Sequence, residues 1–201
     1  VRALGVTAWP MVEFEADDAL ATAVERLKHN KSVDQIVLCS PDKDLAQLVS
    51  GRRIVCWDRR REVVMDEAGV LTKFGVRPHS IPDWLALVGD SADGYPGLPG
   101  WGTKSASAVL WRFEHLEAIP DDSGKWRVKT ITPGRAARLA ESLAQRRDEA
   151  ALYRKLATLR KDAPLQERLS DLKWQGAHVR LKKLCRELGD QRIPERVTRW
   201  Q

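Results

Sequence analysis

Cysteine is scarce in this chain. Three occur in 201 residues, at positions 39, 56 and 185. An odd, widely spaced set supports neither a disulfide framework nor a zinc site. Cys39 and Cys56 lie inside apolar runs and are expected to be small buried side chains in a reducing cytoplasm. Long hydrophobic runs are missing too, since none approaches the roughly 18 residues of a membrane span. The opening VRALGVTAWP lacks the basic, apolar and small-residue order of a signal peptide, and it lacks an initiator Met. The chain is therefore expected to be part of a longer protein. Its hydrophobic fraction of 43% excludes a wholly disordered chain.

Charge is plentiful but unevenly placed. Residues 1–100 carry 12 Lys/Arg against 15 Asp/Glu, a balance of −3, whereas residues 101–201 carry 22 against 13, a balance of +9. An acidic half beside a basic half suits a protein that holds metal in one part and a polyanion in the other. Basic helices that merely solvate the surface would give the same balance.

Seven carboxylates fall into three short clusters. They are Glu15, Asp17 and Asp18 in FEADDAL, Asp42 and Asp44 in SPDKDL, and Asp90 and Asp93 in GDSADG. Each cluster alone has an ordinary explanation, as first-turn helix acids or as turn residues. Together they would repel one another unless a cation sat between them. Carboxylates without Cys or His partners suit hard ions such as Mg²⁺ or Mn²⁺. Two such ions held roughly 3.5–4 Å apart form the clamp used for in-line attack on phosphodiesters.

Strand-like apolar runs occur at residues 6–12, 35–39 (QIVLC), 53–57 (RIVCW) and 62–65. Helical spacing over 15–29 and a short helix over 42–49, with Ser40 as cap and Pro41 at the first position, complete a β-α-β-α-β alternation. That order predicts an α/β layer with a parallel or mixed sheet, whose ligands gather at the C-terminal strand ends. Glu15, Asp17, Asp18, Asp42 and Asp44 all follow a predicted strand. Beyond residue 65 the pattern is helical: 66–74, 80–89, 103–113, 115–119, one long amphipathic stretch over 135–159, and 177–188. A soft boundary near residue 75 separates residues 1–75 from an all-helical part over 76–201.

The loop PGLPGWGTK is the second informative feature. Gly97, Gly100 and Gly102 allow tight turns and close approach to a ligand. A helix opens at Thr103, so its free amides, with Lys104 and Ser105 beside them, suit a phosphate backbone rather than bases. A structural hairpin with a solvated lysine is the plainer reading. Among eight Trp, Trp84, Trp111 and Trp126 are expected in cores, and Trp101 at the loop tip is the one nucleic-acid candidate. The four His, at 29, 79, 115 and 178, show no acidic partner pattern and are read as surface or packing residues. Arg59, Arg60 and Arg61 are expected in a hairpin turn.

FEADDALA, VLCSPDKDLAQLV and LVGDSADGYPGLPGWGTKSASAVL, in this order and spacing, resemble the 5′-nuclease family. Its members include the 5′–3′ exonuclease domain of bacterial DNA polymerase I, phage 5′-exonucleases and flap endonucleases. LATLRKDAPL resembles the tail of that domain. With no polymerase sequence in these 201 residues, stand-alone bacterial 5′–3′ exonucleases are the type expected to be most similar.

The resemblance implies a PIN-like, Rossmann-like, mostly parallel sheet layer. A helical part with a helix–three-turn–helix over about residues 80–113 would follow it. It implies that Glu15, Asp17, Asp18, Asp42, Asp44, Asp90 and Asp93 hold two Mg²⁺, with Mn²⁺ an alternative. Asp18, Asp42, Asp44 and Asp93 would be nearest the chemistry. The Gly97–Gly100–Gly102 loop with Thr103, Lys104 and Ser105 would hold K⁺ and grip duplex DNA bearing a 5′ end or flap. Gly94 stands where the family usually has Asn. A preceding segment with another metal aspartate and an arch is also implied, so these 201 residues would bind duplex more readily than they cut it. The expected protein is a monomeric, non-membrane nuclease of DNA repair or replication. A non-catalytic duplex-binding module is the alternative.

Overall fold

The computed structural model describes residues 1–190 and 192–201. A three-stranded sheet forms the N-terminal layer, with β1 at Ile36–Leu38, β2 at Ile54–Asp58 and β3 at Val63–Met65. β1 and β2 run parallel, while β2 and β3 form an antiparallel hairpin across the Arg59–Arg61 turn. Helix α1, Ala16–Leu27, precedes the sheet and buries Ala19, Ala21, Thr22 and Val24. The β1–β2 crossover contains a 3-10 helix at Asp44–Leu48 rather than the α-helix expected over 42–49. Ser40 does not cap it; its Oγ accepts from the Asp42 amide at 3.2 Å, and Lys43 holds the cap position.

Residues 6–12 form no strand. Pro10 has no amide to give a ladder, and Val12 is 96% exposed. The segment is tied down by side chains instead. Trp9 Nε1 donates to Glu167 Oε2 at 2.8 Å, and Thr7 Oγ1 donates to the Asp171 carbonyl at 3.2 Å.

The rest is helical: α2 at Glu67–Phe74, α3 at Ile81–Val88 and α4 at Thr103–Phe113 are followed by α5 at Pro133–Gln145 and α6 at Arg147–Ala157, with α7 at Arg180–Glu187 and a short α8 at Arg192–Glu195. Asp66 caps α2 by accepting from the Gly69 amide at 2.9 Å. The long stretch expected over 135–159 breaks at Arg146, whose φ of −128° leaves helical space. The break resets the apolar face. α5 buries Leu139 and Leu143, but Leu152 and Leu156 of α6 are exposed. No described helix is long and apolar enough to cross a membrane.

One core runs through both layers, joining Leu38, Leu45 and Ile54 of the sheet region to Leu85, Leu110 and Leu143 of the helices. A strap over residues 157–165 adds polar ties back to the N-terminal layer. Gln47 donates from Nε2 to the Ala157 carbonyl at 2.9 Å and accepts the Leu159 amide at 3.1 Å. Thr22 Oγ1 accepts the Ala163 amide at 3.0 Å, and Arg26 donates to the Leu165 carbonyl at 2.6 Å. A small second core joins Ala3 to Ala177, Leu181 and Cys185. Cys56 and Cys185 are buried as small apolar groups, but Cys39, one residue past β1, is exposed.

Candidate metal centre and nucleic-acid face

The C-terminal end of β1 and the start of α1 bring acids to one edge of the sheet, and the loop after α3 brings the third cluster to them. One oxygen each of Asp44, Asp90 and Asp93 lies within 4.8 Å of the others. Asp90 is 2% exposed and Asp44 is 8% exposed. Burial, then the negative charge of Asp42 and Asp93, pushes the Asp44 carboxyl up to about 7. Burial and the charges of Asp42, Glu15 and Asp18 push Asp17 up to about 6. Asp93 is also raised, by burial and by Asp90, although Lys43 opposes the shift. Asp17 and Asp42 are thus electrostatic neighbours of the tight trio.

Several of these carboxylates also have local work. The Asp42 Oδ1 accepts the Asp44 amide at 3.1 Å, and the Asp90 Oδ1 accepts the Ala92 amide at 2.9 Å. The Lys43 ammonium pairs with Asp90 Oδ2. Asp18 is turned toward backbone. Its Oδ2 accepts the Glu15 amide at 3.1 Å, and its Oδ1 accepts the Arg160 amide at 2.8 Å. Glu15, at the N-cap of α1, is exposed.

The donor set fits a hard divalent cation. Asp44 Oδ1 is buried with no hydrogen-bond partner among the described residues. An orphaned carboxylate oxygen beside other carboxylates costs several kcal/mol unless a cation or proton compensates it. The Tyr95 hydroxyl is orphaned as well, and burial and Asp44 both raise its titration. A cavity of about 360 Å³ opens beside the trio, lined by Asp42, Lys43, Lys73, Asp90 and Asp93 among others.

α3 and α4 enclose the second element. Their connection closes with Asp90 and Tyr95 exchanging backbone bonds at 2.9 and 3.1 Å, and with the Leu98 amide on the Leu87 carbonyl at 2.9 Å. Gly97, at φ +71°, packs backbone to backbone on Gly89. Gly100 is also in the left-handed region, at φ +82°. Gly102 is the N-cap of α4 and has no side chain to occupy the first-turn amides. Thr103 and Lys104 are exposed, whereas Ser105 is buried and its hydroxyl is bonded to Gly102 at 3.1 and 3.0 Å.

Trp101 is not a loop-tip contact. It is 8% exposed and packs 5.9 Å from Trp126, ring centre to ring centre, inside the core. Trp111, expected in the core, is 57% exposed. The helical period had the signal, because the buried face of α4 at Ser105, Ala106, Val109 and Leu110 leaves Trp111 off it. His115 has an acidic partner after all: its Nδ1 lies 2.9 Å from buried Asp83, which also accepts the Leu116 amide at 3.0 Å. Their separation of 32 residues hid the pair.

Residues 1–75 match the family model for the 5′–3′ exonuclease N-terminal resolvase-like domain, and residues 76–180 match that for its C-terminal SAM fold. The chain belongs to the 5′–3′ exonuclease family. DNA polymerase I of Bacillus caldotenax is 32% identical over 203 residues, covering 98% of this chain and 22% of that protein. Flap endonuclease Xni of Shewanella amazonensis is 36% identical over 161 residues, 80% of this chain and 59% of its own. The chain therefore spans about a fifth to three fifths of the length of these relatives. T5 5′-exonuclease with bound divalent zinc has the same fold, at a TM-score of 0.61 and 17% identity, covering 74% of this chain and 51% of that one.

Proposed function

We propose that this chain is the catalytic and DNA-gripping portion of a metal-dependent 5′–3′ exonuclease or flap endonuclease, hydrolysing phosphodiesters at DNA 5′ ends or flaps. The observation that carries the reading is the convergence of Asp44, Asp90 and Asp93 oxygens within 4.8 Å around an orphaned buried carboxylate oxygen. Family membership and the names of the relatives support the same reaction class. Asp44, Asp90 and Asp93 would hold one divalent ion, and Asp17 and Asp42, with Glu15 and Asp18 at the α1 start, would bound a second. Bound Mg²⁺ or Mn²⁺ activates water and neutralises phosphate charge.

The chain's own groups orient the substrate. Lys104 and the uncapped amides of α4 present positive charge to a duplex backbone, the turns at Gly97 and Gly100 shape the loop that leads there, and Gly102, with open space where a side chain would stand, keeps the approach clear. A K⁺ ion at the carbonyls of residues 97–102 would reinforce this grip. DNA repair or replication is the setting that the relatives support, and a monomer is the form proposed.

A non-catalytic duplex-binding module is the second reading. It is favoured by Lys43, which already neutralises Asp90. Calorimetric titration with Mn²⁺ and a labelled 5′-flap assay separate the two. Ion binding that Asp44→Asn removes, with cleavage that EDTA and Asp93→Ala abolish, supports the nuclease. Failure to bind any divalent ion overturns it.

A further inference from the structure

A cavity larger than the acidic one lies on the helical part. About 900 Å³ lies between one face of α4 and residues 127–135. Lys104, Arg112, Arg127, Lys129 and Arg135 line it together with Trp111, and no lining residue is acidic. None of these five cations forms an ion pair among the described residues. That is an expensive arrangement in isolation, because like charges gathered around a concavity repel. Arg127 adds backbone strain, as one of three non-glycine residues at positive φ among the described residues, here +48°.

The Trp111 indole stands at this surface. Arg77 lies 5.9 Å from the ring centre and is held by Glu114 at 2.7 Å. An exposed aromatic among unpaired cations is the combination that binds single-stranded nucleic acid, with phosphates on the cations and a base on the ring. A duplex offers no free base face to such a ring, because its bases are stacked on one another.

The groove also adjoins the carboxylates. Gly75 lines the basic groove, and its chain neighbours Lys73 and Phe74 line the acidic cavity. The C-terminal end of α2 thus borders both cavities.

We propose that this groove takes an unpaired segment of the substrate strand, with one base stacked on Trp111 and the adjoining phosphates on Arg112, Arg127 and Lys129. The inference deepens the nuclease reading and rests on it for the identity of the strand as substrate. It assigns Trp111 a binding role distinct from the duplex grip, with Lys104 at the edge common to both.

The test measures binding in EDTA, so cleavage plays no part. Fluorescence anisotropy would compare a short oligo-dT with a blunt hairpin duplex, using the unmodified chain, Trp111→Ala, Trp111→Phe and the double variant Arg112→Ala/Lys129→Ala. Trp111→Ala is expected to weaken oligo-dT binding roughly five- to hundredfold. Trp111→Phe should retain most of the affinity, and hairpin binding should be unchanged by either. The double variant should weaken oligo-dT binding and lower its salt dependence. Equal losses on both ligands would assign the groove to duplex, and an unchanged oligo-dT affinity would leave Trp111 without a role. Either result overturns the proposal. A chain that shows the discrimination but binds no divalent ion would refute the nuclease reading alone.

Discussion

Gly89 and Gly97 touch backbone to backbone. A β-carbon on Gly97 would lie 2.5 Å from the Gly89 nitrogen, and one on Gly89 would lie 2.4 Å from the Pro96 carbonyl carbon. Neither neighbour is a flexible side chain that could move aside. The same contact fixes where Asp90 and Asp93 leave α3. Gly97→Ala is expected to cost at least about 2 kcal/mol, from positive φ and steric overlap together. Gly94 is also at φ +81° but has nothing within 4 Å, so Gly94→Ala should cost only about 1 kcal/mol. Urea unfolding of both variants checks the difference.

Asp44→Asn should raise the melting temperature of the metal-free protein by a few degrees. It removes one of several like charges from a buried cluster in which that charge has no compensating partner. The same change should abolish stabilisation by Mn²⁺ and reduce cleavage at least about 100-fold. Thermal melts with and without the ion report the first two effects, and a flap assay reports the third. A lower metal-free melting temperature would contradict the account.

The pH dependence has a definite sign. Asp17 and Asp44 have folded-state values raised to about 6 and about 7 from 3.8. The folded state therefore holds their protons more tightly than the unfolded state does. The stability they contribute is full below about pH 4 and is lost as pH rises through 6 to 7. A divalent ion replaces those protons, so the rise in melting temperature on adding Mg²⁺ should be larger at pH 8 than at pH 5. A rise that does not vary with pH would place the ion elsewhere.

Lys104→Ala should weaken duplex binding about equally for all sequences and reduce the salt slope by about one unit. Its exposed side chain at the start of α4 meets phosphate rather than base edges. Titrations at several salt concentrations measure the slope.

Asp83 is 2% exposed, beside His115 and the Leu116 amide, with Arg154 Nη1 at 3.4 Å. Asp83→Ala should destabilise the fold by about 3–5 kcal/mol, because it strands those partners. Asp83→Asn should cost less. Chemical denaturation compares the two.

The helices could be read because their signals are local. Thr103–Phe113 forms over the expected bounds, and Asp66 opens α2 where a first-turn acceptor was needed. The acids after β1 converge because parallel β-α order dictates which sheet edge they reach. Reading failed where the deciding partner is distant. Residues 6–12 carry strand-like side chains, but a strand needs a neighbouring ladder, and Trp9 is bonded to Glu167 instead. The kink at Arg146 has no proline or glycine to announce it, and only the exposure of Leu152 and Leu156 reveals the change of face. Nor does FEADDAL announce that the oxygens of Asp18 also accept from its own helix start and from the Arg160 amide, 142 residues away.

That last bond makes the strap over residues 157–165 a clasp. The Arg160 amide holds Asp18, the Ala163 amide holds Thr22, and Gln47 is fastened to Ala157 and Leu159. The turn of α1 bearing Asp17 and the crossover bearing Asp44 are thus both buttoned by a segment more than 100 residues further along the chain. A protease nick in the strap would touch none of the seven clustered acids, yet it would loosen two of the three clusters at once.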